Sequence, residues 1–180
     1  MDYIISDLHF THKNSIKFDK RPFESIQEMN KRLIENWNHK VQPNDTVYVL
    51  GDMFYRAKNE EIEEITNQLN GGIIYIWGNH EKGLKSNQRL VLEKFKETHT
   101  YLELPYTFNQ TKYRIVMNHY PIPMFNGHFG QHTIHFYGHV HTTEEQLLTV
   151  YQQLMNFTNS NRKESHLMLN VGGNDELDEL

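Results

Sequence analysis

The sequence predicts an α/β layered domain in which much of the sheet is parallel. Three observations favour this class: short apolar runs typical of strands, helical patterns of apolar residues between those runs, and a length of 180 residues. A chain of this length buries enough surface to fold unaided, so we expect one domain over residues 1–180. In such sheets, binding sites form beyond the carboxyl ends of the strands.

Strands are predicted where β-branched and aromatic residues form nearly continuous apolar runs. Such runs indicate strands that are covered on both faces, and each one is followed at once by polar residues. The runs are residues 3–5, 46–50, 73–77, 114–117 and 135–137.

Helices are predicted where apolar residues recur every three to four positions, a pattern that indicates core packing. These segments are residues 24–40, 59–70, 84–98 and 144–157. The Asn70-Gly71-Gly72 sequence ends the second helix. The remaining segments are predicted to be a long loop, a polar connector and an acidic tail that frays, at residues 118–133, 156–164 and 174–180 respectively.

The composition narrows the class of protein. Hydrophobic residues make up 37% and charged residues 23%, as in ordinary globular proteins. The net charge is −5 without a long basic run, so no strong basic surface for nucleic acid is expected. The absence of cysteine excludes disulfides and thiolate ligands. Without a signal-peptide pattern, or an apolar stretch near the roughly 18 residues that span a bilayer, we expect a cytoplasmic protein with no membrane partner.

Each predicted strand ends in a carboxylate, carboxamide or imidazole. These clusters are Asp7-Leu8-His9, Gly51-Asp52, Gly78-Asn79-His80, Asn118-His119 and Gly138-His139-Val140-His141. One cluster alone could be a turn, a helix cap or a cross-strand pair. Together they are the hard and borderline ligands that suit divalent ions. A carboxylate such as Asp52 can bridge two cations, and Asn79 can coordinate through its carbonyl oxygen without adding charge.

The clusters resemble a known pattern. In chain order, SDLH, LGD, WGNHE, NHYP and YGHVH match the D-x-H, G-D, G-N-H, lone His and G-H-x-H motifs of the calcineurin-like metallophosphoesterases. The resemblance spans residues 7–141 and, judging by the RPFESIQEMNKRLIENWN helix and the length, is closest to small single-domain bacterial and phage-type members. It implies mixed sheets flanked by helices in an αββα-type fold, and a phosphoric ester hydrolase.

The resemblance also implies two divalent metal ions, with manganese expected and iron, zinc, cobalt or nickel also suited to the ligands. One ion would be held by Asp7, His9, Asp52 and His141, and the other by Asp52, Asn79, His119 and His139. Asp52 would bridge them together with a hydroxide that acts as nucleophile. His80 would lie outside the metal ligands and protonate the leaving oxygen, so His80 and Asp52 are the expected catalytic residues.

Two features depart from the family pattern. Glu81 follows His80 where relatives usually carry Asp, and a carboxylate longer by one methylene could orient the imidazole differently. Asn170-Val171-Gly172 matches a stretch found in relatives, but Gly173-Asn174-Asp175 and a short acidic tail follow it. Substrate contacts from that end are therefore not predicted.

Three residues are candidates for substrate contacts. His12 lies three residues beyond His9, and Arg21 and Arg56 offer forked guanidinium donors for phosphate oxygens. Each could instead lie on the surface. The expected partner is a phosphate ester, for example a nucleotide. The sequence leaves open monoester or diester preference, the physiological substrate and the oligomeric state.

Two alternative functions remain open at this point. The same metal centre could serve a nuclease, although the absence of a basic stripe counts against long duplex substrates. The chain could also be a non-catalytic metal-bearing scaffold, although all seven ligand positions carry competent residues.

Overall fold

The strands form two mixed sheets flanked by helices, as the resemblance implies. The computed structural model describes residues 1–141 and, for the backbone alone, residues 167–170 and 178–179. The predicted helix at 144–157 and the connector at 156–164 lie outside these residues. None of the described helices has the length and apolar character needed to span a membrane.

The first sheet contains β1 (Asp2–Ile5), β2 (Thr46–Val49), β3 (Gly72–Ile76), β4 (Glu97–His99) and β9 (Asp178–Glu179). Their order across the sheet is β4-β3-β2-β1-β9. β1 to β4 are parallel, and β9 is antiparallel to β1. The expectation of a frayed acidic tail is therefore wrong for the residues of β9, because their backbone pairs with Tyr3 and Ile4.

The second sheet has the order β5-β6-β7-β8. Its strands are β5 (Tyr101–Phe108), β6 (Thr111–Asn118), β7 (Thr133–Tyr137) and β8 (Leu167–Asn170). β6, β7 and β8 are parallel, whereas β5 is antiparallel to β6. A two-residue turn joins β5 to β6, and both of its residues, Asn109 and Gln110, have the positive φ that such hairpins require.

The helices occupy the segments between the strands of the first sheet. They are α1 (Ser15–Phe18), α2 (Ile26–Lys40), α3 (Asn59–Thr66), α4 (Lys82–Ser86) and α5 (Gln88–Lys94). The prediction of one helix over 84–98 is wrong. The Asn87 side chain caps α5 by accepting a hydrogen bond from the Leu90 N–H, which separates α5 from α4. The chain then turns extended at Phe95 and enters β4.

Two apolar layers explain why the strand sequences are apolar on both faces. Tyr3 and Ile5 of β1 pack towards the helices, in a layer that includes Trp37 of α2. Ile4, between them in sequence, packs towards the second sheet against residues such as Met117 of β6. Because β1, β2 and β3 are parallel and in register, their carboxyl ends lie at one rim of the sheet.

Candidate metal centre

The polar clusters that follow β1, β2, β3, β6 and β7 meet at this rim. Asp52 Oδ2 lies 3.5 Å from His119 Nε2, and Asp7 Oδ1 lies 3.5 Å from His141 Nε2. These pairs join residues far apart in the sequence. Asp7 and Asp52 follow strands of the first sheet, and His119 and His141 follow strands of the second. The centre is therefore assembled from both sheets.

The first group of side chains consists of Asp7, His9 and His141. His9 Nε2 lies 3.1 Å from His141 Nε2 and 3.8 Å from Asp7 Oδ1. The Asp7 and His9 side chains are almost fully buried, whereas 18% of the His141 side chain is exposed. Three potential ligand atoms thus face one another at a partly open position.

The second group consists of Asp52, His119 and His139, with Asn79 beside it. His119 is fully buried, and its Nδ1 lies 2.7 Å from the Leu50 carbonyl oxygen. If Nδ1–H donates to that carbonyl, Nε2 keeps a free lone pair. This Nε2 faces Asn79 Oδ1 at 3.0 Å as well as Asp52.

Each group fits a divalent cation. Within each group of three, the potential ligand atoms all lie within 4.8 Å of one another. Asp7 Oδ1 is buried and has no hydrogen-bond partner among the described residues. A buried carboxylate oxygen without a donor is costly, and a cation between Asp7 and the two imidazoles would remove that cost. Burial raises the pKa of Asp7 above its ordinary value.

The imidazoles of the first group differ in their pKa. Burial and the neighbouring His141 lower the pKa of His9 to about 3, so His9 is neutral and can donate a lone pair. Burial also lowers the pKa of His141, but hydrogen bonding to Asp19 and the charge of Asp7 raise it above its ordinary value overall. A cation bound by His141 would therefore have to displace a proton.

The pKa of Asp52 is held low. Burial alone would raise it, but the interaction with His119 and the backbone N–H of His80 lower it below its ordinary range. Asp52 Oδ1 accepts hydrogen bonds from the N–H groups of Asn79 and His80 at 2.9 and 3.0 Å. Oδ2 is thereby left for the centre.

Backbone strain is concentrated at the potential metal ligands. Residues other than glycine rarely have a positive φ, and each one in this conformation costs about 1–3 kcal/mol of folding free energy. The values are φ 55° at Asp7, 53° at His9, 52° at Asp52, 71° at His139 and 49° at His141. Strain of this kind persists where the surrounding structure enforces it, typically at functional sites.

Two glycines are required because the backbone passes close to the carboxylates. A Cβ atom at Gly78 would contact Asp52 Oδ1, and one at Gly138 would contact Ser6 Oγ and Asp7 Oδ2. The Asp7 Oδ2 atom accepts a hydrogen bond from the His139 N–H at 2.8 Å, which holds the two loops together. Gly78 and Gly138 are thus required because a larger residue would clash with the carboxylates of Asp52 and Asp7.

His80 lies at the open side of the centre. Its Nε2 is 3.6 Å from Asp52 Oδ2, and 34% of its side chain is exposed. Its ring contacts those of His9 and Tyr55 edge-on, with centroid distances of 5.5 and 4.9 Å. This position lets the imidazole reach a molecule bound at the centre.

Glu81 points into the protein. Its carboxylate accepts hydrogen bonds from the Tyr75 hydroxyl at 2.7 Å and the Gly78 N–H at 3.0 Å. The Tyr75 hydroxyl in turn accepts one from the Met53 N–H at 3.2 Å. Glu81 thus fastens the loop after β3 to the loop after β2. Burial, with the charge of Asp52, raises the pKa of Glu81 to about 7.

The three candidates for substrate contacts lie in different surroundings. The His12 ring lies 5.1 Å from the His9 ring and stacks on Tyr55. Arg56 is exposed, with its guanidinium over the Tyr55 ring. Arg21 is only 7% exposed and donates hydrogen bonds to the carbonyls of Asp7 and Leu8, both at 2.8 Å. Its two terminal amino groups are therefore directed at the backbone of the loop that follows β1.

Sequence reasoning missed two residues that touch the centre. Asp19 Oδ1 lies 3.0 Å from His141 Nδ1, in the arrangement by which carboxylates orient ligand histidines. Tyr120 packs against His119 and His139, with ring centroids 4.9 and 4.7 Å away. The only sequence signal for Tyr120 is its place directly after His119, and no motif singles out Asp19.

Comparisons with known proteins place the chain in a family. Residues 3–143 match the family described as calcineurin-like phosphoesterase. An uncharacterized protein of Methanocaldococcus jannaschii is 49% identical over 81 residues, which are 44% of this chain and 46% of that protein. The match therefore spans about half the length of that relative.

Two solved structures are similar to this chain. One is a protein of unknown function from Aquifex aeolicus, with a TM-score of 0.66, 24% identity and coverage of 98% of this chain and 94% of the other. This likeness shows a shared fold. The other is an archaeal phosphodiesterase, with a TM-score of 0.46, 18% identity and coverage of 95% of this chain and 82% of the other.

Proposed function

The chain belongs to the calcineurin-like phosphoesterase family, and we propose that it hydrolyses a phosphomonoester or phosphodiester at the candidate metal centre. The observation that carries this proposal is the convergence of side chains from both sheets into two groups of potential ligands. These groups are Asp7, His9 and His141, and Asp52, His119 and His139.

We propose that two divalent ions, with manganese as the expected metal, occupy the centre. The Asp7, His9 and His141 group would hold one and the Asp52, Asn79, His119 and His139 group the other, with Asp52 shared. When bound, such ions would supply a bridging hydroxide as nucleophile and neutralise charge on the phosphoryl group.

His80 is proposed to donate a proton to the leaving oxygen. Its imidazole is partly exposed and adjoins the Asp52 carboxylate, so it can contact an ester bound at the centre. The His80 N–H donates to Asp52 Oδ1, which fixes the backbone at this residue. Proton donation to a leaving group by a positioned side chain contributes typically about 10²–10⁴-fold to rate.

The proposal is tested with para-nitrophenyl phosphate and bis(para-nitrophenyl) phosphate as generic monoester and diester. We expect hydrolysis of at least one in the presence of Mn²⁺, loss of activity with a chelator, and recovery when Mn²⁺ is restored. Asp52→Asn should abolish turnover and lower metal stoichiometry while the circular dichroism spectrum is kept.

Asp2→Asn is the matched control, because Asp2 lies at the opposite end of β1 from the ligand loop. This variant should keep wild-type activity. Turnover by the chelated protein, or undiminished turnover by Asp52→Asn, would contradict the proposal.

A further inference from the structure

A cavity of about 310 Å³ opens beside the candidate metal centre, between the loop that follows β1 and the loop that follows β2. Its lining includes His12 and Lys13 from the first loop and Tyr55 and Arg56 from the second. The volume is at the lower end of the range for small-molecule sites, so the cavity could hold part of a substrate.

The two loops are fastened to each other. The Phe10 N–H donates to the Met53 carbonyl at 2.8 Å, and the Tyr55 N–H donates to the Phe10 carbonyl at 3.1 Å. The Thr11 hydroxyl donates to the Tyr55 carbonyl at 2.8 Å. The cavity wall is therefore set by the folded backbone.

The aromatic wall connects the cavity to the centre. The His12 and Tyr55 rings stack, with centroids 3.8 Å apart and planes 18° from parallel. The Tyr55 ring also meets the edge of the His80 ring at 4.9 Å. Since His80 is the residue proposed to protonate the leaving oxygen, the leaving group of a bound ester would extend towards this cavity.

The cavity carries two cationic side chains at its open edge. Lys13 and Arg56 are both exposed, and the Arg56 guanidinium carbon lies 5.3 Å from the Tyr55 ring centroid. Arg56 also has a φ of 50°, a conformation that is uncommon outside glycine. Guanidinium and ammonium groups are the usual partners of phosphate oxygens.

Among the residues that the structure describes, one acidic residue lines the same cavity. Glu61 belongs to α3, and its carboxylate accepts a hydrogen bond from the Lys58 N–H at 2.8 Å, at the amino end of that helix. Lys13 and Arg56 therefore give this cavity more positive than negative charge, since the single carboxylate of Glu61 already accepts a hydrogen bond.

We propose that this cavity binds a second phosphate, carried by the leaving group, so that the enzyme favours phosphate esters whose leaving group is itself phosphorylated. The inference rests on the proposed function and names its substrate class. The oxygen of water bonds to phosphorus, the bond from phosphorus to the ester oxygen breaks, and that oxygen takes a proton. The leaving group departs as an alcohol with its own phosphate intact.

The test compares substrates that differ in whether the leaving group carries a phosphate of its own. Adenosine 3′-monophosphate and adenosine 3′,5′-bisphosphate form the monoester pair, and the adenosine dinucleotide without and with terminal phosphates forms the diester pair. We expect the wild-type protein to show kcat/KM roughly tenfold higher for the phosphorylated member, as one charge-assisted contact would give. The readout is the ratio within each protein.

The double variant Lys13→Ala/Arg56→Ala should lower this ratio to near one. Arg56→Lys should retain part of it, because an ammonium keeps the charge and loses the fork. The matched control is Arg32→Ala/Lys112→Ala, which removes one exposed arginine and one exposed lysine that do not line the cavity and should keep the wild-type ratio.

The outcomes separate this inference from the proposed function. A protein that hydrolyses neither the aryl esters nor any of the adenosine nucleotides overturns both. A protein that hydrolyses the aryl esters but does not favour the phosphorylated member of either pair overturns only the second-phosphate site. A wild-type kcat/KM ratio in the double variant Lys13→Ala/Arg56→Ala also overturns the second-phosphate site.

Discussion

The contact between Asp19 and His141 makes a sharp prediction about metal binding. Asp19 Oδ1 lies 3.0 Å from His141 Nδ1, and Oδ2 accepts from Arg21 Nε at 3.3 Å. Burial raises the pKa of Asp19, but His141 and Arg21 lower it below its ordinary value, so the carboxylate is ionised at neutral pH. Asp19→Asn keeps the size of the side chain and removes its charge.

Loss of a carboxylate that orients a ligand histidine typically weakens metal binding about 10- to 100-fold, or about 1.4–2.7 kcal/mol. We expect a loss of this size at the site that contains His141. Asp19 itself is not one of the proposed ligands, so the stoichiometry at saturating metal should stay at the wild-type value.

Titration with Mn²⁺, followed by calorimetry and by the electron paramagnetic resonance signal of free Mn²⁺, measures both affinities. Asp2→Asn serves again as control and should titrate like the wild type. If Asp19→Asn binds both ions with wild-type affinity and a wild-type circular dichroism spectrum, the assignment of Asp19 as a positioning residue is refuted.

Two further predictions concern the same centre. Gly138→Ala should lower metal affinity and the melting temperature, because its Cβ would contact Ser6 and Asp7 and overpacking costs about 1–3 kcal/mol. Gly83→Ala is its control, because no atom of the described residues lies within 4 Å of the added Cβ. Equal melting temperatures for both variants would contradict this explanation. Metal affinity should also fall as pH is lowered from about 8 to 6. Burial lowers the pKa of His119 and His141, but their carboxylate partners raise it overall, so protons compete with the metal; a pH-independent titration would contradict this.

The strands that position the centre were predictable because their signal is local. β1, β2 and β3 are continuous apolar runs, and a polar cluster follows each within a few residues. The edge strand β5 gave no such signal. It contains Pro105 and is half-exposed along its length, both of which are tolerated at the edge of a sheet. β4 lies partly within the segment 84–98, whose apolar spacing predicts a helix. It forms a strand because its pairing with β3 overrides the local preference.

The surroundings of the centre were harder to predict than its members. Arg21 has the sequence signature of a phosphate-binding residue, but its direction is set by the fold, which aims it at the carbonyls of Asp7 and Leu8. The direction of the Glu81 side chain is likewise set by the fold, in which its carboxylate accepts hydrogen bonds from Tyr75 and Gly78. Asp19 contacts a histidine 122 positions further along the chain, a contact that no local pattern encodes.

The origin of the ligands in both sheets has a thermodynamic consequence. Ions held between Asp7 or Asp52 on one side and His119 or His141 on the other would act as a cross-link between the layers, in addition to the apolar contacts beneath them. Since ions that bind only the folded protein add about 1.4 kcal/mol for each tenfold rise in free concentration above their dissociation constant, resistance to unfolding would be set in part by metal supply. Loss of the metal would then abolish catalysis and also weaken the association of the two sheets.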